Sequence, residues 1–303
     1  MASKPKRTEE CVFVIDAGTQ SIRASIVDIK GRILSIEKTP IEPYFSERPG
    51  WAEQDPEYYW KALCTTCKRL VKTAPAGIHA VKGVAVTCQR GTVINLDKNG
   101  KPLRPAITWL DQRKADAGSW PPFHLKALFK AVNLHDAAVH AYRETESNWI
   151  RQNQPRIWER THKYLMLSGF FAFRLTGEYV DSTGSMVGYF PFDYKRHRWM
   201  TPRDVKWGIF DYDLSLLPAL VSPAQVMGRI GKKASKETGI PAGLPLVAAA
   251  ADKACEVLGS GCLGPDTACL SFGTTATVET TTERYVEIVP FFPPYPSAVP
   301  GAY

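Results

Sequence analysis

Apolar and polar residues alternate with a period of two over residues 11–16, 21–28 and 33–40, which predicts three short strands. Asp28-Ile29-Lys30-Gly31 is a turn between the second and third, so the three read as an antiparallel meander. Asp55 and Pro56 then mark a helix start, with Asp55 as N-cap and Pro56 at the first helical position. This helix should run to about Lys72 and end before Pro75 and Gly77. VKGVAVTC, residues 81–88, reads as a buried strand, and TVINLD forms a hairpin with the segment after Asn99-Gly100. Strands, a helix and more strands in this order are the ββαβ beginning of an α/β fold, a mixed sheet covered by helices.

The pattern changes over residues 120–230. Helical spacing dominates near 122–133, 145–152 and 157–175, among many Trp, Tyr and Phe residues. The stretch DSTGSMVGYFPFDYKRHRW is too rich in Gly and aromatics for one regular element, and reads as a surface insertion or part of a ligand cleft. From Leu244 the α/β character returns: LPLVAAAAD is a strand entering a turn, and Lys253–Leu258 starts a short helix. TACLSF is a strand, Gly273-Thr274-Thr275 a turn, and ATVETTT another strand. Strand, Gly-Thr turn, strand thus occurs twice, in IDAGTQSIRASIVD and LSFGTTATVET, which suggests two phosphate-gripping hairpins facing each other. The Pro-rich PFFPPYPSAVPGAY follows without a helix, as if a second domain had begun and not finished.

Composition narrows the class. The 303 residues suffice for about two domains, and 44% hydrophobic with 22% charged residues is ordinary for a globular protein. No apolar run reaches the roughly 18 residues of a membrane span, and MASKPKRTEE has no apolar h-region, so residues 1–9 read as a short disordered tail. The net charge of +8 suits an anionic ligand such as a nucleotide, while the scattered Lys and Arg argue against nucleic acid. Seven cysteines without a secretory signal point to a reducing cytoplasm. Cys64 and Cys67 fall on one helical face as packing residues, with no second ligand pair for zinc.

Three constellations carry chemistry. In the first hairpin, a Gly-Thr turn leaves backbone N–H groups of Gly18, Thr19, Gln20 and Ser21 without ladder partners, a nest for phosphate oxygens. Asp16, at the strand end, suits Mg²⁺ bridging to phosphates, and Arg23 can neutralise phosphate charge. The plainer alternative is an ordinary β-turn with an Asp cap. Asp252, after the apolar LPLVAAAA, is a helix N-cap, a catalytic base, or both. Gln89 and Arg90 of TCQRGT, with Asp111 of TWLDQR, suit a polyhydroxylated ligand or, more plainly, a surface ion-pair cluster.

Taken together these residues resemble the FGGY carbohydrate kinases, a family of the sugar kinase, Hsp70 and actin superfamily. Asp16-Ala17-Gly18-Thr19-Gln20-Ser21-Ile22-Arg23 resembles the family's first phosphate motif, and Gly50-Trp51-Ala52-Glu53-Gln54-Asp55-Pro56 a stretch peculiar to it. Cys88-Gln89-Arg90 and Trp109-Leu110-Asp111-Gln112-Arg113 fall where the family places sugar contacts. Asn148-Trp149-Ile150 and Arg174-Leu175-Thr176-Gly177-Glu178 look like its N-terminal domain. Ala251-Asp252-Lys253-Ala254 aligns with the segment of the catalytic Asp, and Ser271-Phe272-Gly273-Thr274-Thr275 with the second phosphate motif. The resemblance implies a ribonuclease H-like (actin-like ATPase) mixed sheet flanked by helices, with a second, incomplete domain of the same type. It places an N-terminal sugar-binding domain at 10–242 and the start of an ATP-binding domain at 243–303.

It also implies transfer of a phosphoryl group from ATP, with Mg²⁺, to a hydroxyl of a sugar or polyol in the cytoplasm. Asp252 would be the base, Asp16 would help hold Mg²⁺, and Gly18–Ser21 with Arg23 and Gly273–Thr275 would grip ATP. Gln89, Arg90 and Asp111 would contact the sugar. Neither nucleic acid nor a membrane is expected as partner; a homodimer through the strands of the unfinished domain is. Two features depart from the family pattern: Ala249-Ala250-Ala251 replaces a Gly-containing run, and Ser168-Gly169 stands where many members have Asp. With no adenosine-binding segments, this chain is expected to be an impaired kinase, the alternative being a non-catalytic sugar-binding or regulatory remnant.

Overall fold

A computed structural model of the protein describes residues 10–131, 133–272, 276–289 and 291–303. The tail over 1–9 and the turn Gly273-Thr274-Thr275 lie outside the described residues. The meander is present as β1 (Cys11–Ala17), β2 (Ser21–Asp28) and β3 (Ile33–Pro40), paired antiparallel in chain order. Alternation buries Phe13, Ile15 and Ala17 of β1 with Ile22, Ala24 and Ile26 of β2 on one face, and leaves Val12 of the other face 40% exposed. Helix α1 (Pro56–Thr73) covers the buried face. Asp55 Oδ1 accepts the Glu57 N–H at 2.9 Å, and Leu63, Cys67 and Leu70 fall on the inner side against β2 and β3. Cys64 and Cys67 are packing residues, and all seven cysteines are free thiols.

The chain continues through β4 (Val81–Cys88), β5 (Val93–Leu96), β6 (Lys163–Met166), α2 (Leu167–Thr176), β7 (Val226–Arg229) and β8 (Pro245–Ala248). It then forms α3 (Asp252–Gly259), β9 (Cys269–Phe272) and β10 (Ala276–Glu279). The main sheet has the order β7-β8-β4-β1-β2-β3. Its three central strands β8, β4 and β1 run parallel, and the flanking pairs are antiparallel. The sequence reading starts a second domain at residue 243, but β8 is an interior strand of this first sheet. Leu246 and Ala248 are buried beside β4, so the strand needs neighbours on both sides. Beyond α3, β9 and β10 pair only with each other among the described residues.

The helical expectation for 157–175 is corrected. A short helix, Pro155–Arg160, gives way to β6, which pairs with β5, and α2 follows at once. Tyr164, Leu165 and Met166 are all buried, and a short all-apolar run of this kind fits a strand as well as a helix until a partner strand decides. A further helix, His135–Glu144, separates Phe123–Ala131 from Glu146–Asn153. The hairpin across Asn99-Gly100 shrinks to a turn with a single bridge, Leu96 to Pro102, because Pro102 has no N–H to extend a ladder. A second core of Trp149, Ile150, Tyr164, Phe190 and Phe192 lies on the small sheet of Glu53–Gln54, Ala106–Ile107, β5 and β6.

Two of the buried carboxyls are pushed well above the ordinary carboxylate range. Asp181 accepts hydrogen bonds from Ser168 Oγ at 2.7 Å and Ser182 N–H at 2.7 Å, yet burial pushes it up to about 7. Burial pushes Glu146 up to about 7 as well. Each binds its proton more tightly in the fold than in the unfolded chain, so the native state holds extra protons between about pH 4 and 7 and stability falls as pH rises through that window. The loss is on the order of a few kcal/mol. Thermal unfolding is expected to give a higher Tm at pH 5 than at pH 8, and the double variant Asp181→Asn, Glu146→Gln should shrink that difference. An unchanged difference in the double variant would contradict this assignment.

Candidate active site

The three parallel strands end side by side. Ala17 of β1 stands opposite Cys88 of β4, and Ala248 of β8 opposite Val86. The chain beyond each end therefore meets at one edge of the sheet: the turn Gly18–Ser21, the pair Gln89-Arg90, and Ala249–Asp252. Gln89 N–H donates to Ala17 O at 3.0 Å, and Thr87 Oγ1 donates to Ala250 O at 2.8 Å, which ties the three together. A cavity of about 750 Å³ opens there, with Thr19, Gln20, Arg23, Gln89, Arg90 and Asp252 in its walls.

The turn is closed by Gly18 N–H donating to Ser21 O at 3.0 Å. Among the described residues nothing accepts from the Thr19 or Gln20 N–H, so two adjacent donors remain for an anion. Asp16 pairs across the β1–β2 ladder with Arg23, Oδ2 to Nη1 at 2.8 Å, so the carboxylate and guanidinium read separately from the sequence neutralise each other here. Asp252 opens α3. Ala251 is the N-cap, and Asp252 Oδ1 accepts its neighbour Lys253 N–H at 2.8 Å. Oδ2 has no hydrogen-bond partner among the described residues. Burial raises the Asp252 carboxyl, partly offset by the Lys253 N–H and by Arg90, whose Nε lies 3.9 Å away. Gln89 is buried, with Nε2 donating to Tyr59 Oη at 3.0 Å and Oε1 left without a donor. Gln89 thus stands in the cavity wall with an acceptor that is itself buried and unpartnered among the described residues.

Residues 11–259 match the FGGY family of carbohydrate kinases, N-terminal domain. The chain belongs to this family. It is 26% identical over 274 residues to a xylulose kinase of Staphylococcus epidermidis, covering 89% of this chain and 53% of the relative. To a glycerol kinase of Thermococcus kodakarensis it is 27% identical over 284 residues, covering 92% and 55%. Its fold superposes on the crystal structure of a xylulose kinase from Rhodospirillum rubrum with a TM-score of 0.80 at 23% identity, covering 97% of this chain and 59% of that one. The chain spans about half the length of the curated relatives it matches.

The FGGY stretch Gly50–Pro56 is an anchor in this geometry. Glu53 forms buried ion pairs with Arg104 and, at 2.9 Å, with Arg113, whose guanidinium lies 3.9 Å from the Trp51 ring centre and 4.6 Å from that of Trp149. Asp111 is drawn into the same cluster. Its carboxylate accepts from Arg113 Nε at 2.7 Å, Arg113 Nη2 at 2.6 Å and Ala52 N–H at 2.7 Å. The expectation that Asp111 faces the sugar cavity is therefore corrected: both oxygens are spent on holding Arg113 and the 50–56 stretch. Trp109 of the same TWLDQR motif lines the cavity instead and donates Nε1–H to Thr19 Oγ1 at 3.2 Å. Lys253, Gly188 and Tyr295 also line it. The TWLDQR motif signalled Trp109, but nothing in the sequence marked Tyr295.

The Ala249–Ala251 run that leads to Asp252 is fixed from the 182–184 turn. Ala251 N–H donates to Gly184 O at 3.0 Å, and Ser182 Oγ donates to Ala249 O at 2.5 Å. A Cβ on Gly184 would come within 2.8 Å of Ala250 Cβ and 2.9 Å of Pro223 Cγ. Gly184→Ala is expected to destabilise the protein by about 1–3 kcal/mol. Urea unfolding checks this; a midpoint equal to that of the parent would show the contact to be relaxed.

Proposed function

We propose that the chain is the acceptor-binding half of a carbohydrate kinase that transfers the γ-phosphoryl group of ATP to a hydroxyl of a sugar or polyol. The single cavity that gathers the free Thr19 and Gln20 amides, the raised Asp252 carboxyl and the Gln89-Arg90 pair carries this reading. Gln89 and Arg90 are assigned to bind and orient the acceptor. Asp252 takes the hydroxyl proton through Oδ2 while Lys253 N–H holds Oδ1. The acceptor oxygen bonds to the γ-phosphorus, and the bond to the bridging oxygen of ADP breaks. The Thr19 and Gln20 N–H groups donate to phosphate oxygens, with Gly18, Ser21 and Arg23 shaping that wall, and Gly273, Thr274 and Thr275, outside the described residues, are assigned to the same phosphates.

Bound Mg²⁺ would neutralise phosphate charge and fix its geometry. Among the described residues no three acidic, His or Cys side chains cluster as a metal cage. That fits an ion carried chiefly by phosphates and water with one or two carboxylates. Asp16, close enough to Asp252 to raise its pKa, is the residue assigned to that ion. Seven free thiols fit a reducing cytoplasm, and among the described residues no helix is long and apolar enough to cross a membrane. The open edges of β9 and β10, with Leu270, Phe272 and Val278 exposed, are the surface we assign to a homodimer.

Sugar-dependent ADP release, measured on this chain and on a version extended to the relatives' full length, tests the reading against a panel of polyols and ketoses with Mg²⁺-ATP. Turnover is expected in the extended protein. Asp252→Asn should lower it by about 10²-fold or more, with acceptor affinity by calorimetry unchanged within a few fold. Binding with no turnover in either length would favour a sugar-binding or regulatory role, and an active Asp252→Asn would remove Asp252 as the base.

A further inference from the structure

Residues 285–289 and 291–303 fold back over the sheet edge and are pinned on both sides of Tyr295. Before it, Glu287 accepts from Lys206 Nζ at 3.0 Å, Tyr285 Oη at 2.6 Å and Phe291 N–H at 2.7 Å. After it, Tyr303 Oη donates to Lys195 O at 2.9 Å, and Tyr303 and Thr282 exchange backbone hydrogen bonds at 2.8 and 2.9 Å. Between these anchors the Tyr295 ring lies over Arg90, 5.5 Å from the guanidinium carbon to the ring centre, and 6.1 Å from the ring of Tyr194. Tyr194 in turn donates to Gly188 O at 2.8 Å.

Three cavities meet at this row. One is the polar cavity of Gln89, Arg90 and Asp252; a second, about 330 Å³, shares Arg90, Lys253 and Tyr295 with it; the third, about 310 Å³, has aromatic walls that include Tyr189, Phe190, Phe210, Tyr285 and Phe292. Tyr295 and Gly188 are the residues common to the polar and the aromatic one. We propose that Tyr295 is a specificity-determining residue: its ring closes the far end of the acceptor cavity, separates it from the aromatic one, and so restricts acceptors to short polyols and ketoses without an apolar substituent. The proposal rests on the sugar-kinase reading for the identity of the acceptor, but the partition itself is geometric. A half-exposed ring stacked on Arg90 shields that guanidinium and blocks a passage that a smaller side chain would open. Tyr and Phe serve equally, since the phenol oxygen has no hydrogen-bond partner among the described residues, whereas Ala leaves the two cavities continuous.

The experiment uses the full chain with Tyr295→Phe, Tyr295→Leu and Tyr295→Ala. Arg90 modification by phenylglyoxal, followed by peptide mass spectrometry, reports the shielding without any sugar. Labelling should quicken about fivefold in the Ala and Leu variants, which lose the ring face, and stay at the parent rate in Phe. Calorimetry with phenyl β-D-glucoside reports the partition: affinity should rise about tenfold in Ala only, because its aryl group enters the aromatic cavity. Equal labelling in the parent and in Leu, or in Ala where Ala folds, overturns the shielding; equal aryl-glycoside affinity in the parent and in a folded Ala variant overturns the partition. Should Ala not fold, labelling in Leu against Phe decides the proposal. Failure of the sugar-kinase reading looks different: the parent then binds neither D-xylulose nor glycerol, while the labelling pattern is unchanged.

Discussion

The parallel pairing of β1, β4 and β8 is the constraint on which the site depends. Parallel strands place their carboxyl ends along one edge, and the loops that leave them must diverge, which opens a crevice there. In this chain those loops carry the Gly18–Ser21 turn, Gln89-Arg90 and Asp252, which are separated by some 70 and 160 residues in sequence. A slip of one residue in either register would reverse the faces of β4 or β8 and remove Val84 or Leu246 from the core as it moved the site residues. The packing of the hydrophobic face and the geometry of the site are thus one specification.

Around that edge the protein divides labour between two cores. The first, built on the buried face of the main sheet with Leu63, Leu70, Phe170 and Phe171, fixes the strand ends. The second, aromatic one supports the far wall. The two are joined through a cluster of charged side chains. Glu53, Arg104, Asp111 and Arg113 form a buried ionic cluster sandwiched by Trp51 and Trp149. Desolvation of such a group is offset only when its charges and hydrogen bonds are matched; here two carboxylates balance two guanidiniums and the Ala52 amide adds a donor, while Arg104 Nε and Nη1 stay without a hydrogen-bond partner among the described residues. Its effect is positional: it sets Trp109, four residues before Arg113, against Thr19 at the mouth of the cavity.

The sequence by itself determined much of this. Period-two alternation located β1, β2 and β3, the apolar run VKGVAVTC located β4, and Asp55-Pro56 placed the start of α1, because these signals are local and owe nothing to distant contacts. The Gly-Thr turn and the lone Asp252 stood out for the same reason: a polar residue ending an apolar run is visible without a fold. What tertiary structure decided is everything set by partners. Residues 163–166 became a strand because β5 lay beside them, and β8 joined the first sheet because β4 offered an edge. Asp111, polar and near the right motif, was claimed by Arg113 and Ala52, while Tyr295, in a Pro-rich stretch without periodicity, was carried onto Arg90 by anchors at Glu287 and Tyr303. Local chemistry names the groups that can act; only the folded chain determines which of them still have a free atom facing the cavity.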